Sequence, residues 1–149
     1  MVLRNLLILF LIFSPLLSNA YQNQYKDHYI VNDTASYIRN NSYFYEKEQH
    51  KDIFIKSINA INSYSDDILI KVINDNKSKL ELEIKGQNKI KKFIVHYTSL
   101  KDVGLRLSEL IHTLEDEYNL DNEDMSLDYL IANTMLQDVD EYSSIIHPD

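Results

Sequence analysis

The sequence predicts an α+β domain: a helical pair, a three-stranded antiparallel meander, then two further helices packed on it. Two observations give this class. Between Ile68 and Tyr97 apolar residues recur at every second position and are interrupted by polar clusters, the period of half-buried strands. On both sides of that stretch the apolar spacing changes to three and four, the period of one helix face. A few-stranded sheet is marginal alone, so the helices must cover its apolar face.

The chain has 149 residues and opens with the three parts of a secretory signal. Arg4 is the basic residue, Leu6 to Phe13 is an unbroken apolar run, and Ser18, Asn19 and Ala20 offer small residues for cleavage. The run is shorter than the roughly 20 residues of a membrane span. The expected organisation is a signal peptide at residues 1–20, a single α+β domain at 21–137 and a C-terminal loop at 138–149. Such a chain is expected in the periplasm or outside the cell, with no membrane association after cleavage.

Composition narrows the function. With no cysteine, the chain has no disulfide, no thiol nucleophile and no cysteine-ligated metal. A formal net charge of −8 argues against nucleic acid as a partner. Two glycines leave no room for a glycine-rich phosphate loop.

Taken in order, the first helix is expected over Tyr29 to Tyr45. In the second, Ile53, Phe54, Ile58, Ile61 and Asn62 share a face, and Asn62 to Asp66 reads as its breaker. Ile68, Ile70 and Val72 share one face of the first strand, and Asn74 to Lys77 is the expected turn. Leu80, Leu82 and Ile84 then alternate with Glu81, Glu83 and Lys85, and Gly86, Gln87 and Asn88 form a second turn before Ile90 to Tyr97. Ser99 reads as an N-cap with Asp102 three residues later. Leu100, Val103, Leu107, Leu110, Ile111 and Leu114 mark the strongest helix, broken at Asn119 to Asp124. Ser126 is placed to cap the last helix, in which Leu127, Leu130, Ile131, Thr134 and Met135 face inward.

Candidate chemistry is sparse. His28, His50, His96, His112 and His147 include no i, i+4 pair, so they read as surface or partly buried residues and no metal site is expected. The carboxylates Glu115, Asp116, Glu117, Asp121, Glu123 and Asp124 lack the spacing of a calcium loop and read as a solvated connection. No serine motif of a hydrolase occurs, and neither catalytic residues nor a cofactor is expected. Asn32, Asn40 and Asn76 open glycosylation sequons, which carry no meaning in a bacterium. Tyr21, Tyr25 and Tyr29 are four apart and would present three rings on one helical face. Tyrosine favours interfaces because its ring is apolar and its hydroxyl polar, so these three are candidate contact residues.

The segment from Leu127 to Pro148 resembles the region before the PDZ domain of carboxyl-terminal processing peptidases, the tail-specific Ser-Lys proteases. That family shows a helix of the type Y-A-A-I-N-G-M-L followed by L-D-P-H/Y-S and a proline. Tyr129, Asn133, Met135 and Leu136 match the helix, and Asp140, Tyr142, Ser143 and Pro148 match the loop. Thr134 and Glu141 depart from the usual glycine and proline. The resemblance implies a helical platform used for dimerisation and for positioning the PDZ gate, acting through protein–protein contacts. It also implies that the serine and lysine of the catalytic domain lie outside this chain, so no catalytic residue is carried over. The implied partner is a second copy or a protease-related chain. The alternative is an unrelated secreted effector or inhibitor with an acidic, tyrosine-rich surface. A self-sufficient hydrolase would need a site assembled from scattered serine, histidine and acidic residues.

Overall fold

A computed structural model of the chain describes residues 28–41, 49–120 and 126–146. The expected signal peptide lies outside those residues. The elements are α1 (Tyr29–Asn41), α2 (His50–Tyr64), β1 (Ile68–Asn76), β2 (Lys79–Gly86), β3 (Lys89–His96), α3 (Leu100–Tyr118) and α4 (Leu127–Val139). This is the α+β order the periodicity predicts. No helix among the described residues is long and apolar enough to cross a membrane.

The sheet runs β1-β2-β3 with both pairs antiparallel. Its inner face is formed by Ile68, Ile70, Leu80, Leu82, Ile84, Phe93 and Val95, all buried. The outer face is charged: Lys79 meets Glu81 at 2.5 Å and Lys85 meets Glu83 at 2.9 Å, and each lysine holds its carboxylate partner below the usual range. Lys89, Lys91 and Lys92 on the edge strand β3 oppose edge-to-edge association.

The first hairpin turns later than its sequence suggests. Asn74, Asp75 and Asn76 stay in the ladder opposite Glu81, Leu80 and Lys79, and the turn falls on Lys77 and Ser78. A bulge between Val72 and Asn74 shifts the register, which puts Asp75 on the helix side of the sheet, where Lys51 of α2 pairs with it. The second hairpin has a two-residue turn with Gln87 and Asn88 at φ 49° and 63°, the left-handed pair that matches strand twist. Gly86 beside it is needed for space instead of torsion. A Cβ there would lie 2.8 Å from the Asp67 carbonyl oxygen and 3.1 Å from the Tyr118 ring.

Helix ends follow local hydrogen-bonding chemistry. Asn62 does not break α2, because its amide is spent on β1: it accepts from the Ile70 N–H at 2.7 Å and donates to the Ile70 carbonyl at 2.9 Å. The helix continues to Tyr64. Ser99 caps α3 by accepting the Asp102 N–H at 3.2 Å, and Asp102 accepts from the backbone and hydroxyl of Thr98 at 3.0 and 2.6 Å. Burial pushes the Asp102 carboxyl up, but these donors outweigh it and hold it below its ordinary range. Asn119 ends α3 in the left-handed region. Ser126 stands at the N-cap of α4, yet only its carbonyl contributes, accepting from Tyr129 and Leu130; its hydroxyl makes no cap bond. The last helix also outruns the expected loop start. Asp138 and Val139 belong to it, since the nearly buried Asp138 carboxylate meets Lys56 of α2 and Val139 packs on the core.

Helices α2 and α3 contact the sheet, and α1 and α4 pack together on their far side, α1 against α3 and α4 against α2. Leu107, Leu110, Ile111 and Leu114 of α3 are completely buried at the centre. Backbone approach is closest where α1 crosses α3. A Cβ on Gly104 would sit 2.9 Å from the Ala35 methyl and 3.3 Å from Asn32 Oδ1. Beside this contact, Asn32 donates to the Ser108 hydroxyl at 3.1 Å and Ser108 donates to the Gly104 carbonyl at 3.0 Å. Gly104→Leu therefore forces α1 and α3 apart and is expected to cost about 2–3 kcal/mol in urea unfolding; an unchanged midpoint would show that the helices do not cross at this glycine.

Candidate functional site

The outward side of α1 carries a stripe of Tyr29, Asp33 and Tyr37, each four residues apart, with half-buried Ile30 and buried Thr34 at its base. The inward side, with Val31, Ala35 and Ile38, is used up in the core. On α4 the facing residues are Tyr129 and the largely buried Leu136. Because α1 and α4 pack side by side, these residues form two walls of a cleft of about 660 Å³. This volume lies within the range of ligand pockets.

The third wall is the segment after α4. Asp140 starts a turn, accepting the Tyr142 N–H at 3.1 Å and the Ser143 hydroxyl at 2.7 Å. The Ser143 hydroxyl and Tyr142 amide hold the Asp140 carboxyl below the usual range. The chain then folds back along α4, where Asn133 clamps it: the side-chain amide donates to the Ile145 carbonyl at 3.1 Å and accepts the Ile145 N–H at 2.6 Å. Tyr142, Ser143, Ser144 and Ile145 thereby close one side of the cleft.

Four tyrosines among the described residues line it: Tyr29, Tyr37, Tyr129 and Tyr142. Tyr29, Tyr37 and Tyr142 are 60, 58 and 87% exposed, a large area of aromatic surface to leave in water. Among the described residues Asp33 is the one charged residue in the lining, and no basic side chain shares it.

The candidate residues of the sequence divide accordingly. Tyr29, Tyr129, Leu136, Tyr142 and Ser143 line the cleft, and Asn133 and Asp140 build its third wall. Met135 is fully buried in the core. Tyr21, Tyr25 and Pro148 lie outside the described residues. Sequence reasoning missed Asp33 and Tyr37, although they continue the four-residue spacing through Tyr29.

A second polar cluster corrects the reading of the histidines. His28, just before α1, is 4% exposed. Its Nδ1 lies 2.9 Å from Asp128 Oδ1 in the first turn of α4, and its Nε2 lies 3.5 Å from Glu115 Oε2 near the end of α3. His112 stands beside it, 6.2 Å away between ring centroids, and pairs with Asp116 at 3.1 Å. Glu115, Asp116 and Glu117 are thus helical, not part of a solvated connection, and Glu117 pairs with Lys91 of β3. Asp121, Glu123 and Asp124 lie outside the described residues. Nothing in the spacing foretold the His28 contacts, since Asp128 is 100 positions away. Among the described residues no group of three or more histidine and acidic side chains converges to hold a metal ion.

The serines with defined contacts serve local structure. Ser57, Ser63 and Ser108 donate to helix carbonyls, and Ser143 donates to Asp140. Comparison with family profiles, curated proteins and solved structures finds no match to this chain.

Removing the clamp separates local from global order. Asn133→Ala deletes two hydrogen bonds and is expected to cost about 1–2 kcal/mol. Amide exchange at Ile145 should accelerate by more than that at Leu110, which speeds up only as far as global stability is lost; an Ile145 amide exchanging at its original rate would contradict the clamp.

Proposed function

We propose that the chain is an exported, non-catalytic domain that works by protein–protein contact, with the tyrosine-lined cleft as its contact surface. The carrying observation is the exposure of Tyr29, Tyr37 and Tyr142 around one concave site. Exposed aromatic rings gathered on a rigid helical frame are the usual anchors of interfaces, since they supply large contact area at little cost in side-chain entropy.

Within this reading the chain acts as a platform of the kind found before the PDZ domain of tail-specific proteases. Support comes from where the motif residues lie. Tyr129, Leu136, Tyr142 and Ser143 line one surface, and Asn133 and Asp140 shape it. Six of the matched residues thus share one structural feature, while Met135 is buried in the core. An unrelated secreted effector or inhibitor is the second reading, favoured by the acidic character of the chain.

Photo-crosslinking amino acids at Tyr37 and Tyr142, with one at Lys92 on the outer sheet face as control, test the proposal in cells exporting the protein. Protein adducts are expected at the two cleft positions and not at Lys92. An adduct with a second copy or a Ser-Lys peptidase chain supports the platform reading, and one with an unrelated extracellular protein supports the effector reading. Equal labelling at all three positions would overturn the assignment of the surface.

A further inference from the structure

Resting on the contact reading above, the geometry points to an occupant: we infer that the cleft takes an extended, proline-containing peptide segment of a partner protein bearing a lysine or arginine. The cation would sit over Asp33, between the rings of Tyr29 and Tyr37.

Three features select this chemistry. The first is the order of side chains along α1. Tyr29, Asp33 and Tyr37 are each four residues apart, so aromatic ring, carboxylate and aromatic ring follow one another up a single line of the helix. A guanidinium or ammonium on that line meets a carboxylate and can rest against a tyrosine face at the same time. Among the described residues no basic side chain lines the cleft to compete for Asp33 or to favour an anionic occupant.

The second feature is what the walls do not offer. Two walls are helices whose backbone groups, beyond the terminal turns, are satisfied internally. On the third, both the N–H and the carbonyl of Ile145 are taken by Asn133. A β-strand needs a free backbone edge to pair with; at Ile145 that edge is taken, and the lining presents rings and hydroxyls beside it. An occupant recognised in this way keeps its own backbone solvated. That is the property of a polyproline II segment, which has no internal hydrogen bonds and docks in aromatic-lined grooves.

The third feature is length. From Tyr29 to Tyr37 the helix rises about 12 Å, which matches about four residues of a polyproline II chain. A short linear segment fills that distance, with tyrosine hydroxyls at the rim able to donate to its carbonyls.

The test uses the purified full chain and three fluorescein-labelled decapeptides read by fluorescence anisotropy. The first carries Pro-Pro-Arg-Pro within Gly and Ser residues, the second has glutamate in place of the arginine, and the third has glycine in place of each proline. The arginine peptide is expected to bind at least about tenfold more tightly than the glutamate peptide. Asp33→Lys should reverse that order, and Tyr37→Ala should weaken the arginine peptide by about fivefold or more. Both positions are exposed, and far-UV circular dichroism of each variant should match the parent. No preference for arginine, a preference unmoved by Asp33→Lys, or equal binding of the glycine peptide would overturn the inference. So would light scattering showing a dimer that Tyr142→Ala dissolves, because the occupant is then a second copy. Any of these results together with protein crosslinks at Tyr37 and Tyr142 would leave the contact reading standing and remove only the peptide.

Discussion

The structure depends on how α1 is held. This helix is the outermost wall of the cleft, and two constraints of different kinds fix it. Against α3 the constraint is steric: Gly104 and Ala35 let the backbones approach to a distance that no larger side chain allows. Against α4 it is electrostatic, with His28 placed between the Asp128 and Glu115 carboxylates. An imidazole buried at this depth stays folded in only with hydrogen-bonding or charged partners. The cluster therefore ties the entry of α1 to the first turn of α4 and the end of α3. With the helix fixed, its outward stripe must face α4, and the cleft follows.

A division of labour between the two sides of the molecule accompanies this. The sheet faces water with a ladder of lysine and glutamate, lysines on its edge, and the exposed apolar side chains of Leu69, Ile73, Ile90 and Ile94 set among the charges. The helical side gathers exposed tyrosines around a concavity and shapes it with a polar clamp at Asn133. Asn62 does the same for β1 that Asn133 does for Ile145, each using one amide to satisfy both backbone groups of a crossing segment. Amides suit this role because a single side chain offers a donor and an acceptor.

The architecture was legible where side-chain period decides it. Leu80, Leu82 and Ile84 alternate so strictly with Glu81, Glu83 and Lys85 that strand and face follow directly, and α3 announced itself by its apolar spacing and the Ser99 cap. Ends were less legible, because Asn62 and Asn74 to Asn76 are turn formers by local chemistry that tertiary contacts or a bulge keep inside regular elements. The cleft was legible only in part. Period tells which residues of a helix turn inward, but not which helices become neighbours. Tyr29 could be named as exposed aromatic surface; that it would face Tyr129 and Tyr142, and that His28 would meet Asp128, depends on packing that no local pattern encodes.

A double-mutant cycle on His28 and Asp128 addresses the tie of α1 to α4 most directly. His28→Leu and Asp128→Leu, singly and together, are unfolded in urea under identical conditions. Coupling of about 1–3 kcal/mol is expected, since each single variant leaves the other group buried beside an apolar neighbour. Additive effects would mean that the two side chains do not meet, and the wall of the cleft would not be where this fold puts it.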